Sequence, residues 1–176
     1  MSKARQLQEV ATAAFFDQVL PVLRAELPEI ASDVVVLITS SVAYGVADEL
    51  SDLDVFIVFR READYRRYAT RLARLIEDLQ LDETYPDICD KGVRFELESL
   101  SRSDVSRVLG HPENLRHWIN QGDWLMRWFG SAVPIYDPTG IRARFDRRCR
   151  FYPPEVASWR MSGGVERGLH RLPSIL

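Results

Sequence analysis

Residues 40–59 read SSVAYGVADELSDLDVFIVF, and they pass from small polar residues into an apolar run. The small polar residues are typical of a turn that follows a strand, and the apolar run is typical of a buried strand. Asp52 and Asp54 stand where that run begins. Because residues i and i+2 of a strand project to the same face, we expect both carboxylates on one side of a sheet.

Helical and extended patterns alternate around this stretch. Apolar spacing in the first hundred residues predicts helices over 4–27 and 63–80 and strands over 33–39, 53–59 and 93–97. Pro21 is expected to kink or divide the first helix, since proline removes a backbone donor. In the last strand Val93, Phe95 and Leu97 alternate with charged residues, which indicates a sheet face that is only half covered.

The pattern becomes helical after residue 99. Pro112 suits the first turn of a helix that runs to about residue 129, a short extended piece follows at 133–136, and another helix is expected near 139–150. The fold class predicted is α+β: a small mixed β-sheet flanked by helices, with a short helical C-terminal extension. We place the sheet domain at residues 1–105 and a helical extension at 106–176, with a truncated helical domain as one alternative for the extension.

Composition narrows the class of protein. The formal net charge of -3 offers no general attraction to nucleic acid or to an anionic membrane. No apolar run approaches the roughly 20 residues that span a bilayer, and the charged N-terminus is unlike a signal peptide. Cys89 and Cys149 have no metal-type spacing. A cytoplasmic protein without a membrane partner is therefore expected.

Asp52 and Asp54 are the strongest candidates for chemistry. Two carboxylates on one face repel each other, and a cation between them relieves that repulsion. Ligation by carboxylate oxygens suits Mg²⁺, which also accepts phosphate oxygens. Ser40, Ser41 and Gly45 precede them in a turn that opens a helix, where free backbone N–H groups can hold phosphate.

Glu96 is the candidate third carboxylate, either as a metal ligand or as the general base for an attacking hydroxyl. Glu98 shares its predicted face and is the alternative. Tyr44 in the turn could stack on a nucleotide base or pack beneath the sheet. A simpler interpretation of Asp52 and Asp54 also exists, because Ser-Asp-Leu-Asp is good turn chemistry.

The same stretch resembles the nucleotidyltransferase motif of the DNA polymerase β-like superfamily, G-S-x-A-x-G-x-A-x-x-x-S-D-x-D. The matching positions are Ser41, Ala43, Gly45, Ala47, Ser51, Asp52 and Asp54. Glu96 between Phe95 and Leu97 is similar to the third carboxylate of that superfamily. The nearest likeness is to small-molecule nucleotidyltransferases of the aminoglycoside and lincosamide type.

The resemblance implies a Mg²⁺-dependent enzyme that transfers a nucleoside monophosphate from an NTP, ATP first among them, to a small-molecule hydroxyl and releases pyrophosphate. It implies catalytic and metal roles for Asp52, Asp54 and Glu96, and nucleotide contacts for residues 40, 41, 44 and 45. A homodimer is a further expectation. Nucleic acid is disfavoured as a partner, because no basic and aromatic track for a strand is present.

Ser40 departs from the pattern, since the superfamily has glycine at this position. A Cβ there obstructs close approach of the backbone to phosphate. This departure, together with the short helical extension, favours the alternative of a non-catalytic nucleotide-binding or regulatory homologue. Transfer of the nucleotide to a protein partner is the other alternative.

Overall fold

The computed structural model describes residues 2–84, 93–99 and 131–149 of the chain. In chain order its elements are α1 (Lys3–Ala14), a π-helical turn (Phe15–Val19), α2 (Leu20–Glu26), α3 (Pro28–Ala31), β1 (Val34–Ile38), α4 (Ser40–Ala43), β2 (Leu53–Phe59), α5 (Glu62–Glu77), α6 (Leu81–Thr84), β3 (Val93–Ser99), β4 (Val133–Tyr136) and α7 (Ile141–Cys149). The predicted mixed sheet with flanking helices is confirmed.

The four strands form one sheet in the order β3-β2-β1-β4. β1 is antiparallel to both β2 and β4, whereas β2 and β3 are parallel. Parallel neighbours need a long crossover connection, and α5 lies within it. As a result the end of β1 and the beginnings of β2, β3 and β4 all meet at one end of the sheet, which we call the site end.

One face of the sheet carries the main hydrophobic core. Alternate residues of β1 and β2 point into it, among them Val36, Val55 and Ile57, and each is fully buried. Leu72 of α5 and Leu7 of α1 pack on this face. The two helices that pack on this face remove it from water, and this burial is the main stabilising contribution to such a layer.

The opposite face is apolar only toward the centre of the sheet. Val35 and Leu37 of β1 and Val58 of β2 are also buried, although they lie outside the main cluster. Toward β3 this face carries charged residues, among them Asp54 on β2 and Arg94 and Glu96 on β3. The change from apolar to charged positions marks where the sheet ceases to be core.

The first helix does not break at Pro21, because a π-helical turn precedes the proline and joins α1 to α2. Leu20 N–H donates to the carbonyl of Phe15, five residues earlier, and this bond defines the π-helical turn. Proline cannot donate to the carbonyl four residues before it, so a wider turn keeps the helix continuous. The turn buries Phe15 and leaves Phe16 at the surface.

Three sequence predictions need correction or remain untested. The helix predicted over 63–80 corresponds to α5, which ends at Glu77, and a separate helical turn follows at Leu81–Thr84, where Leu81 is buried. The helix predicted from Pro112 lies outside the described residues. β4 comes from the segment assigned to the extension and pairs with β1, and the division near residue 105 remains a prediction.

Within the described parts, no helix is long and apolar enough to cross a bilayer.

Candidate active site

The turn after β1 places Ser40 directly beside β2. Thr39 N–H donates to the carbonyl of Asp54 at 3.1 Å, which extends the pairing of the two strands by one residue. Ser40 then adopts a φ of 57°, in the left-handed region that favours glycine. This backbone conformation explains in physical terms why glycine is the motif residue at this position.

Gly45 ends the short helix α4. Its φ of 74° also lies in the left-handed region, and Val46 N–H donates to the carbonyl of Ser41 at 3.0 Å across the turn. An added Cβ would meet no heavy atom within 4 Å in the described structure. Gly45 is therefore required by the backbone conformation of the turn and not by close packing.

Ser51 shapes the loop that leads to Asp52. Its hydroxyl donates to Asp48 Oδ1 at 2.8 Å and accepts from Asp48 N–H at 3.0 Å. Leu50 N–H donates to the same carboxylate. The bond from Ser51, followed by that from Leu50, lowers the pKa of Asp48. The motif serine thus closes an Asx-type turn just before the first candidate catalytic acid.

Asp54 and Glu96 project from adjacent parallel strands on the same face. In the register of β2 and β3, Asp54 pairs with Arg94, and Phe56 pairs with Glu96. Two residues along a strand and one strand across correspond to about 8 Å between Cβ atoms, a gap that one cation with carboxylate ligands can bridge. Glu98 lies a further two residues from Asp54. The register therefore favours Glu96 over Glu98 as the partner of Asp54.

The acidic groups interact electrostatically. Partial burial raises the pKa of the Glu96 carboxyl, and the negative charges of Asp54, Glu98 and Asp52 raise it further. The Arg94 guanidinium acts in the opposite direction. Asp52 immediately precedes β2 and is partly exposed. Repulsion among these carboxylates is the condition that a bound cation relieves.

The candidate carboxylates do not form a ready-made metal-binding cluster in this structure. Of the residues that the structure describes, no three His, Cys, Asp or Glu side chains are grouped so that they could hold a metal ion. The chemistry of Asp52, Asp54 and Glu96 nevertheless suits Mg²⁺, since all three offer carboxylate oxygens and repel one another.

Tyr44 is exposed and does not pack beneath the sheet. Its side chain is 57% exposed, and its hydroxyl forms a hydrogen bond with Ser131 Oγ at 3.1 Å. The interpretation of Tyr44 as a core residue is wrong, because it follows the outward turn of α4.

Helix α1 supports the turn in a way that the sequence did not indicate. Gln8 Nε2 donates to the carbonyl of Val42 at 3.2 Å, and Lys3 forms an ion pair with Glu49 at 2.8 Å. Both contacts join residues more than thirty positions apart. No local pattern could have revealed them, because they depend on where α1 packs against the sheet.

A cavity adjoins Glu96 at the outer edge of β3. Its volume is about 420 Å³. Its lining residues are Ile76, Glu77, Gln80, Leu81, Val93, Arg94, Phe95 and Glu96. The lining of this cavity combines charged and polar side chains with apolar ones.

Comparison with known families agrees with this geometry. The family model of the nucleotidyltransferase domain matches residues 20–110, more than half of the chain. The chain belongs to the nucleotidyltransferase domain family, and it is a nucleotidyltransferase. The match covers the turn, β2 and β3, so every candidate site residue lies within it. Neither the curated proteins nor the solved structures include a significant match.

Proposed function

We propose that this nucleotidyltransferase is Mg²⁺-dependent and transfers a nucleoside monophosphate from an NTP, with ATP the first candidate, to a hydroxyl of a small molecule, releasing pyrophosphate. The observation that carries the proposal is the shared face of Asp54 and Glu96 at the site end, beside the turn of Ser40 and Ser41. Carboxylates and a phosphate-binding turn at one place are what a metal-bound triphosphate requires.

Asp52, Asp54 and Glu96 would hold the metal through their carboxylate oxygens. When bound, Mg²⁺ supplies positive charge that stabilises the developing charge of phosphoryl transfer. Ser41 and the backbone N–H groups of its turn would hold the terminal phosphates. Glu96 has a second role available, because a carboxylate with a raised pKa is better matched to accept the proton of an acceptor hydroxyl.

The cavity beside Glu96 is the proposed acceptor site. Arg94, Glu96, Glu77 and Gln80 offer hydrogen-bonding groups, while Phe95 belongs to its apolar lining. A volume of about 420 Å³ suits a small molecule. Given the resemblance of residues 40–54 to aminoglycoside and lincosamide nucleotidyltransferases, hydroxyl-bearing compounds of those classes are the first acceptors to screen.

Calorimetric titration with ATP and then GTP, with and without Mg²⁺, tests the nucleotide site. We expect Mg²⁺-dependent binding by the native protein and its loss in Asp52→Asn and in Asp54→Asn, since each variant removes a charged ligand. Glu29→Gln is the matched control, because Glu29 is exposed on α3 before the opposite end of β1. Full binding or full pyrophosphate release in Asp54→Asn would contradict the proposal.

A protein acceptor is a second candidate, and one observation favours it. Val46 and Leu50 are 72% and 80% exposed on the loop between Ser41 and Asp52. These two apolar side chains, exposed on one loop beside the candidate site, offer a contact for a protein acceptor. Labelled ATP incubated with cell lysate would then label a protein band, and Val46→Ser with Leu50→Ser would weaken that label. Unchanged labelling of a small-molecule fraction in the same variant would instead support the first candidate.

A further inference from the structure

The side chain of Ser40 is in direct contact with a candidate metal ligand. Ser40 Oγ donates a hydrogen bond to Asp54 Oδ2 at 3.1 Å. The two residues are 14 positions apart in sequence, and the pairing of Thr39 with Asp54 brings them together. A glycine at this position would have no hydroxyl and could not make this contact.

Ser40 makes this contact from a strained backbone. Its φ of 57° is disfavoured for residues that have a Cβ, and glycine adopts it without strain. Strained residues persist where the surrounding structure holds them, and they are concentrated at functional sites. One exposed hydrogen bond contributes little net stability, so the contact does not explain the serine as a stabilising residue.

We propose that Ser40 is a positioning residue, which orients the Asp54 carboxylate for metal binding by occupying one of its two oxygens. The inference rests on the proposed function, because it treats Asp54 as a metal ligand. With Oδ2 held by the hydroxyl, Oδ1 would be the oxygen left to ligate the cation. Groups that hydrogen-bond to metal-ligating side chains commonly control metal affinity in this way.

The proposal predicts that one substitution, Ser40→Gly, raises the stability of the protein and lowers its affinity for metal. Replacement of Ser40 by glycine removes both the strain and the hydroxyl. If Ser40 positions Asp54, Ser40→Gly is more stable than the native protein but binds metal more weakly. If the serine were only a tolerated substitution, glycine would improve stability and leave metal affinity equal or better.

The experiment compares the native protein with Ser40→Gly, Ser40→Ala, Asp54→Asn and Ser32→Ala. Ser40→Ala keeps the Cβ and removes only the hydroxyl. Ser32→Ala is the matched control, since Ser32 is an exposed serine before the opposite end of β1. Free Mn²⁺ is measured by electron paramagnetic resonance during titration of each protein at saturating α,β-methylene-ATP, and the melting temperature is measured without metal or nucleotide.

We expect Mn²⁺ affinity to fall about tenfold in both Ser40→Gly and Ser40→Ala. The melting temperature should rise by about 2 °C or more in Ser40→Gly, because a strained position is relieved. Ser32→Ala should change neither quantity. The melting measurement also shows that each variant is folded before its metal affinity is compared.

Two results would overturn the inference in distinguishable ways. Loss of Mn²⁺ binding in Asp54→Asn with native affinity in both Ser40 variants would leave the proposed function intact and remove the positioning role. No Mn²⁺ binding by the native protein would overturn the proposed function and the positioning role together.

Discussion

At the scale of single residues, Glu96 connects the chemistry of the site to a measurable property. Its carboxyl is partly buried and stands among the charges of Asp54, Glu98 and Asp52, so the folded protein holds its proton more tightly than the unfolded chain does. A group of this kind stabilises the folded state below its ordinary pKa, and that stability is lost as the pH rises through the raised pKa.

Glu96→Gln should therefore show a pH-dependent gain in stability over the native protein. The gain should be absent below pH 4.5, the ordinary value, and should grow as the pH rises above it, because glutamine never acquires the unfavourable charge. Melting temperatures in metal-free buffers from pH 4 to about 8 would measure it.

Glu29→Gln provides the control for that pH series, as its exposed carboxylate belongs to α3. At neutral pH, added Mg²⁺ should make the native protein melt at a higher temperature than Glu96→Gln. The reason is that a cation stabilises the native carboxylate cluster and not that of the variant. A difference between native protein and Glu96→Gln that is constant over the whole pH range would show that Glu96 does not titrate among the other acids.

At the scale of elements, α1 contacts the turn that we propose binds the phosphates of the nucleotide. Gln8 Nε2 donates to the carbonyl of Val42, and this contact is partly buried between the two helices. Gln8→Ala should lower the free energy of unfolding by about 1 kcal/mol, as the carbonyl loses its side-chain donor. We also expect the Kd for ATP to rise several-fold, because the turn is held less firmly.

Gln6→Ala is the matched control for this prediction. Gln6 lies two residues earlier on α1 and is exposed, so the same substitution removes no contact with α4. Urea unfolding and calorimetric titration with ATP measure the two quantities. Equal values for Gln6→Ala and Gln8→Ala would mean that α1 covers the core but does not support the turn.

Local patterns in the sequence predicted the elements better than the contacts between them. The apolar run of β2 has the bounds Leu53–Phe59 in the structure as predicted, because buried residues on both faces leave an unambiguous pattern. The π-helical turn was not predicted, since Pro21 indicates only that a donor is missing and not how the helix responds. The bond from Ser40 to Asp54 depends on the register of β1 and β2, which no local pattern determines.

At the scale of the whole molecule, β4 and α7 connect the later part of the chain to the sheet. Tyr136 of β4 donates its hydroxyl to the carbonyl of Ala31 at 2.8 Å, and its ring packs on Phe15 with centroids 5.2 Å apart. Asp137 accepts from Ile141 N–H and Arg142 N–H, both at 3.0 Å, at the beginning of α7. The buried Arg142 donates to the carbonyl of Ala132 and pairs with Asp146.

These contacts predict that the sheet and the later part of the chain unfold together. All four tryptophans, at positions 118, 124, 128 and 159, follow residue 105, so tryptophan fluorescence reports on the later part. Circular dichroism reports on all helices and strands. The thermal transitions measured by the two methods should coincide, because separation of β4 would expose the edge of β1.

Substitution at Tyr136 tests this coupling directly. Tyr136→Ala should destabilise the protein by about 3 kcal/mol through the loss of ring packing, and Tyr136→Phe by about 1 kcal/mol through the loss of one hydrogen bond. Both transitions should shift downward by the same amount in each variant, since one cooperative unit has one midpoint. If Tyr136→Ala lowered only the fluorescence transition while the circular dichroism transition stayed in place, the later part would be an independent domain. The boundary predicted near residue 105 would then separate two units that fold on their own.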